Sequence, residues 1–154
     1  MQNIKWTCKY FHELTPYELY DVVKLRNEVF VVEQNCVFQD ADDKDQKCYH
    51  LMGFVDDELV AYARLVPAGV SYKYISIGRV VTSRKVRSKG AGKALLDMAI
   101  SQCNLLFGEQ SIKIGAQLYL KKFYEGFGFK QTSDIYDEDG IPHIKMLRTP
   151  VGSI

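Results

Sequence analysis

A chain of 154 residues suits one domain and can bury roughly 70% of its unfolded surface, so no second core is required. Its 20 Lys and Arg against 19 Asp and Glu leave a formal charge of +1, which argues against a general nucleic-acid binder. Three scattered histidines and four cysteines without a Cys-x-x-Cys pair argue against a metal cage; no apolar run approaches the ~20 residues of a membrane span, and with no secretory leader in view the expected compartment is the cytoplasm.

Residues 4–11 alternate enough, at Ile4, Trp6, Cys8 and Tyr10, to predict a first strand. Thr15-Pro16-Tyr17-Glu18 then sets a hydroxyl at the N-cap, proline at N1 and glutamate at N3, the pattern of a capping box. The apolar stripe that follows, Leu19, Val22, Val23, Leu25, Val29 and Phe30, predicts a helix to about Val32. Residues 33–47 lose this period and predict a surface loop. The runs 49–55 and 58–66 predict a hairpin turning at Asp56-Asp57, and 74–81 the next strand. A basic, glycine-bearing turn leads into a helix with Ala91, Leu95, Met98 and Ala99 on one side. A strand over 111–116, a short helix over 118–124 stopped by Gly126 and Gly128, and strands over 129–135 and 143–147 complete the chain. Strands interrupted by helices predict one α/β (α+β) domain, residues 1–154, with a mixed sheet.

The turn between the strand ending at Val81 and the following helix carries the chemistry. Arg84, Lys85, Arg87, Lys89 and Lys93 surround Gly90 and Gly92. Backbone N–H groups at a tight turn and helix start hold a phosphate without specific side chains, and glycine lets the anion approach. The spacing excludes a Walker loop, since Arg87 and Ala94 stand where glycine and a hydroxyl are needed; it also excludes the dinucleotide fingerprint, whose third glycine would fall at Leu95.

Arg87-Ser88-Lys89-Gly90-Ala91-Gly92 resembles the pyrophosphate loop of the GNAT superfamily of acetyltransferases. Phe123-Tyr124-Glu125-Gly126-Phe127-Gly128-Phe129 is similar to that family's Phe-Tyr-x-x-x-Gly-Phe segment. The stretches 26–34, 42–50 and 141–144 resemble its ElaA-like branch. The resemblance implies a central sheet that splays between two parallel strands, with helices on both faces. It also implies acetyl-coenzyme A as co-substrate and no metal. Arg79, Val80 and Val81 would pair with the pantetheine amides much as another strand would. Arg87, Ser88, Lys89, Gly90, Ala91, Gly92 and Lys93 would hold the pyrophosphate. Gln117 stands where the family often has asparagine.

For direct transfer to a primary amine, Tyr124 is the expected acid for the departing thiolate, and Tyr124 also lines the thiol end of the cofactor site. Glu33 and His50 are the available bases, and the Val80 N–H is an oxyanion donor. Arg26, Phe30, Arg64 and His143 are the candidate acceptor residues. The arginines suit a carboxylate-bearing acceptor, whereas the cluster Asp40, Asp42, Asp43 and Asp45 suits a cationic one. The acceptor therefore stays open. So do transfer of a longer acyl group and a non-catalytic acyl-coenzyme A-binding role. Neither nucleic acid nor membrane is an expected partner, and the protein is expected to be a monomer or homodimer.

Overall fold

The computed structural model describes residues 3–150; residues 1, 2 and 151–154 of the expected 1–154 domain lie outside them. Eight strands and three helices follow one another as β1 (Lys5–Tyr10), α1 (Pro16–Arg26), β2 (Tyr49–Val55), β3 (Glu58–Val66), β4 (Ser76–Thr82), α2 (Ala91–Phe107), β5 (Ile112–Gln117), α3 (Lys121–Glu125), β6 (Phe129–Gln131), β7 (Tyr136–Glu138) and β8 (Ile141–Arg148).

Local chemistry accounts for most of these boundaries. At the start of α1, Thr15 Oγ1 accepts from the Glu18 N–H at 3.1 Å and the Glu18 carboxylate accepts from the Thr15 N–H at 2.8 Å. Two of the helix's orphan donors are thus satisfied reciprocally. The β2–β3 hairpin turns on Asp56 and Asp57 with φ of 48° and 65°, the doubly left-handed pair that a two-residue hairpin needs and that aspartate tolerates without glycine. Two expectations need correction. The helix expected to reach Val32 changes after Arg26 into a π-helix, Asn27–Glu33. The strand expected over 129–135 breaks at a bulge, where the Ser133 hydroxyl accepts from the Lys145 N–H at 2.9 Å, and pairing resumes in β7.

The mixed sheet is two antiparallel sheets joined at one place. One has the order β1-β2-β3-β4; in the other β8 is central, with β5 on one edge and β6 and β7 on the other. They meet at a single parallel bridge, Ile75 with Ile112, where the Lys113 N–H donates to the Ile75 carbonyl at 3.0 Å. Beyond it β4 and β5 run the same way without further pairing among the described residues, and a V opens between them.

Alternation along β2 and β3 builds a core on each face. Leu51, Ala61, Ala63 and Leu65 pack with Leu95, Leu96, Ala99 and Cys103 of α2, while Met52 and Tyr62 pack with Val22 and Leu25 of α1. Leu95 and Leu96 are wholly buried, and each contributes roughly 1.5–3 kcal/mol from apolar area removed from water. No helix of the described residues is long and apolar enough to cross a membrane.

Candidate active site

The V ends at the basic turn. Ser83 caps a 3₁₀ turn over Arg84–Val86, and the Arg87 guanidinium folds back on the Thr82 carbonyl, with Nη2 at 2.9 Å and Nε at 3.2 Å, while its Nη1 bonds the Glu33 carboxylate. Ser88 and Gly90 take left-handed φ of 65° and 81°, which curls the chain into α2. Gly90 caps α2 with no side-chain bond, so the first N–H groups of the helix stay free for an anion. A Cβ on Gly92 would meet only the Phe123 ring, at 3.8 Å, so the protein itself leaves that space open. Ser88, Lys89 and Lys93 are exposed around it.

One arm of the V is braced by charge. Between Tyr62 and Arg64 the β3–β4 register shifts, and within this bulge Arg79 adopts a φ of 48°. A left-handed non-glycine residue is strained by roughly 1–3 kcal/mol. Three bonds hold it: Arg79 Nε to Asp40 Oδ1 at 2.8 Å, and Nη2 to the Asp40 carbonyl at 2.9 Å and to Asp42 Oδ2 at 3.3 Å. Arg26, only 1% exposed, donates to Asp40 at 2.7 Å and Asp45 at 2.8 Å; Arg64, 3% exposed, takes Asp42 through two 2.8 Å bonds and Asp45 at 2.8 Å. Burial alone would raise the Asp42 and Asp45 carboxyls, but the arginines hold both below the usual carboxylate range. Three arginines and three aspartates thereby neutralise one another. Arg26 and Arg64 are therefore not available to an acceptor carboxylate, nor Asp40, Asp42 and Asp45 to an acceptor cation. Both clues to the acceptor are spent for one reason, since each set is the other's partner, and only the exposed Asp43 stands outside the brace.

The candidate bases differ sharply in freedom. His50 is fully buried. A carbonyl can only accept, so Nε2–H donates to the Asp45 carbonyl at 2.9 Å, and Nδ1 accepts from the Tyr62 hydroxyl at 2.7 Å. No lone pair is left, and burial lowers its pKa. Glu33 is engaged by Arg87, with Arg84 3.8 Å away, and the Arg87 hydrogen bond above all lowers its pKa, which weakens it as a base. Phe30 packs beside the α1 core.

Tyr124 is buried in the core beneath α2, edge-on to Phe123 and Phe129, and burial pushes its phenol up to about 12. It stays protonated at neutral pH, and its hydroxyl has no hydrogen-bond partner among the described residues. His143 lies across the sheet. Its Nδ1–H donates to the Ile141 carbonyl at 2.7 Å, which fixes the tautomer and leaves the Nε2 lone pair 3.4 Å from Glu138, a residue the sequence reading passed over. In register beside it on β5 stands Gln117, whose amide donates to Gln34 at 3.4 Å. Among the described residues no group of three His, Cys, Asp or Glu side chains is placed to hold a metal ion.

Comparison with known proteins bears on this geometry directly. The sequence profile of the acetyltransferase (GNAT) domain matches residues 18–149. Protein ElaA of Escherichia coli is 40% identical over 147 residues, 94% of this chain and 96% of its own. Its crystal structure superposes with a TM-score of 0.89 at 38% identity, covering 95% of this chain and 99% of that one. An acyl-CoA N-acyltransferase from Pseudomonas aeruginosa superposes with a TM-score of 0.92 at 39% identity over 96% of this chain and 100% of its own.

Proposed function

This chain belongs to the GNAT acetyltransferase family, within its ElaA-like branch, and we propose that it moves an acetyl group from acetyl-coenzyme A to a primary amine in a ternary complex. The carrying observation is the V that opens past the Ile75–Ile112 bridge, with the uncapped start of α2 at its mouth. Arg79, Val80 and Val81 offer one strand edge to the pantetheine amides. The turn from Arg87 to Lys93 would take the pyrophosphate, and the space at Gly92 fits that bulk.

Acid and base approach from opposite faces. Tyr124 belongs to the α2 face, while His143 and Gln117 alternate with Ile144 and Ala116 and so lie on the other. The unprotonated amine forms the N–C bond as the C–S bond breaks. Tyr124 O–H gives its proton to the departing sulfur, and His143 Nε2 takes the proton from nitrogen, with Glu138 stabilising the imidazolium. We assign the base to His143 because His50 has its one lone pair committed to the Tyr62 hydroxyl and Glu33, held by Arg87, is too weakly basic. The direct transfer uses no cysteine: burial raises Cys8 and Cys48 to about 11 and Cys103 to about 12, far from a reactive thiolate, and the Cys36 thiol donates to the Asp139 carbonyl at 3.4 Å. The proposed setting is the cytoplasm, as a monomer or homodimer.

Calorimetric titration with acetyl-coenzyme A and longer acyl-coenzyme A thioesters, followed by thiol release across an amine panel, tests this reading. Acetyl-coenzyme A should bind most tightly, and thiol release should require an amine. Preference for a longer chain would move the assignment to that acyl group, and binding with no amine-dependent release would leave an acyl-coenzyme A-binding module.

A further inference from the structure

On the open arm of the V, three donor groups converge over Gly115, with Lys113 beside them and no carboxylate among them. A Cβ placed on Gly115 of β5 would come within 3.2 Å of both the Tyr72 and Tyr136 hydroxyls and 3.4 Å of Lys145 Nζ. Gly115 itself is exposed, so these groups ring a spot on the surface of the sheet, set too close for any side chain there. Lys145 donates to the Tyr72 hydroxyl at 3.0 Å, which leaves the Tyr72 O–H free to donate onward. The Tyr136 hydroxyl is shielded from water and makes no hydrogen bond of good geometry among the described residues, although its oxygen lies near enough to Lys145 to favour the ammonium. Lys113 and Lys145 both stand 5.1 Å from the Tyr72 ring centroid, and Lys145 is 4.7 Å from that of Tyr136. Among the described residues neither lysine has a carboxylate within ion-pair distance. Burial alone would lower the Lys145 pKa, but the oxygens of Tyr136 and Tyr72 outweigh it and keep the ammonium charged. The carboxylate of β7 on this side, Glu138, is turned to His143.

Here the two tyrosine oxygens face Lys145, so the ammonium and hydroxyl groups together have more protons to offer than lone pairs, which is the complement of an anion. The position fits the reaction. Lys113, Gly115 and Gln117 share one face of β5, opposite the α2 core, and Lys145 pairs with Gly115 as His143 does with Gln117. At about 3.3 Å per residue, Gly115 lies about 10 Å beyond the Ile75–Ile112 bridge, level with the opening arms.

We infer that the surface spot over Gly115, ringed by Tyr72, Tyr136 and Lys145 with Lys113 beside it, binds the carboxylate of an acceptor whose amine is delivered to the V. The inference rests on the acyltransferase reading for the amine alone; the anion site stands on its own geometry.

The test compares 4-aminobutyrate with butylamine, and phosphoethanolamine with ethanolamine, as acceptors. A kcat/KM at least tenfold higher for the carboxylated amine is expected, and Lys145→Gln and Gly115→Ala should each bring that ratio toward one while acetyl-coenzyme A affinity reports that the variants fold. Independently of turnover, the Gly115 amide resonance should titrate with 4-aminobutyrate in the wild type and not in Lys145→Gln. Titration without turnover of any amine would sink the acyltransferase reading and uphold the subsite. Equal kcat/KM for the first pair, or a Gly115 amide that no carboxylate moves, would overturn the subsite. A response confined to phosphoethanolamine would overturn the carboxylate assignment.

Discussion

The two arms of the V carry cations in opposite states. Behind β4, Arg26, Arg64 and Arg79 are saturated by Asp40, Asp42 and Asp45, and the result is a neutral brace that fixes the loop after the π-helix and holds Arg79 in its left-handed bulge. On β5 and β8, Lys113 and Lys145 face tyrosine rings and hydroxyls, with no carboxylate at ion-pair distance among the described residues. Paired charge there builds the wall, and unpaired charge here is left for something that arrives. The distinction is energetic. A buried ion pair that loses one partner leaves a stranded charge, whereas a half-exposed lysine keeps part of its water.

The sharpest way to break this contrast is to strand a charge in the brace. Arg26→Ala should cost about 3–5 kcal/mol in urea unfolding, against under about 0.5 kcal/mol for Lys113→Ala. Equal losses would mean that the lysine is structural too. Next in size, Tyr124→Phe should lower kcat about 100-fold, the scale of a lost general acid, with acetyl-coenzyme A affinity and melting temperature nearly unchanged. A comparable rise in the dissociation constant would instead make the phenol a binding group. Gly92→Ala should then weaken acetyl-coenzyme A about tenfold, or 1.4 kcal/mol, with an intact fold, since its methyl would meet only Phe123 at ordinary contact distance.

The smallest effect sharpens the comparison from the side of pH. His50 has a folded pKa below its ordinary 6.5, so its contribution is complete above that value and is lost as pH falls through the folded pKa. Asp42 and Asp45 are depressed as well, so their contribution persists to the ordinary carboxyl value of 3.8 and is lost below it. The urea midpoint should therefore decline gently below about pH 6.5 and steeply below about pH 4, and His50→Asn should remove only the gentle phase.

What was legible in the sequence was local or periodic. The capping box at Thr15, the strand pair over 49–66 and the glycine turn into α2 are each determined by residues a few places apart, and the structure reproduces them. The π-helix was not legible, because Val29 and Phe30 continue in sequence the apolar pattern begun at Val22 and no residue type there marks a change of hydrogen-bond step. Nor was the brace, whose partners are 14 to 39 residues apart, as between Arg26 and Asp40 and between Arg79 and Asp40. Composition showed the arginines and aspartates as two rival clues to the acceptor; only the fold shows that they meet. The Lys145–Tyr72 pair, 73 residues apart, gave no signal for the same reason.

The single bridge at Ile75–Ile112 has one more consequence, for behaviour in concentrated solution. A strand with unpaired N–H and C=O groups recruits strands from other molecules, and proteins blunt such edges with charge, proline or a covering loop. Here two unsatisfied edges lie in the middle of the sheet and face each other across a wedge that starts from contact, so neither offers a flank on which a neighbouring chain could stack. The wedge keeps backbone valences open for a thin chain of amides and closes them to aggregation.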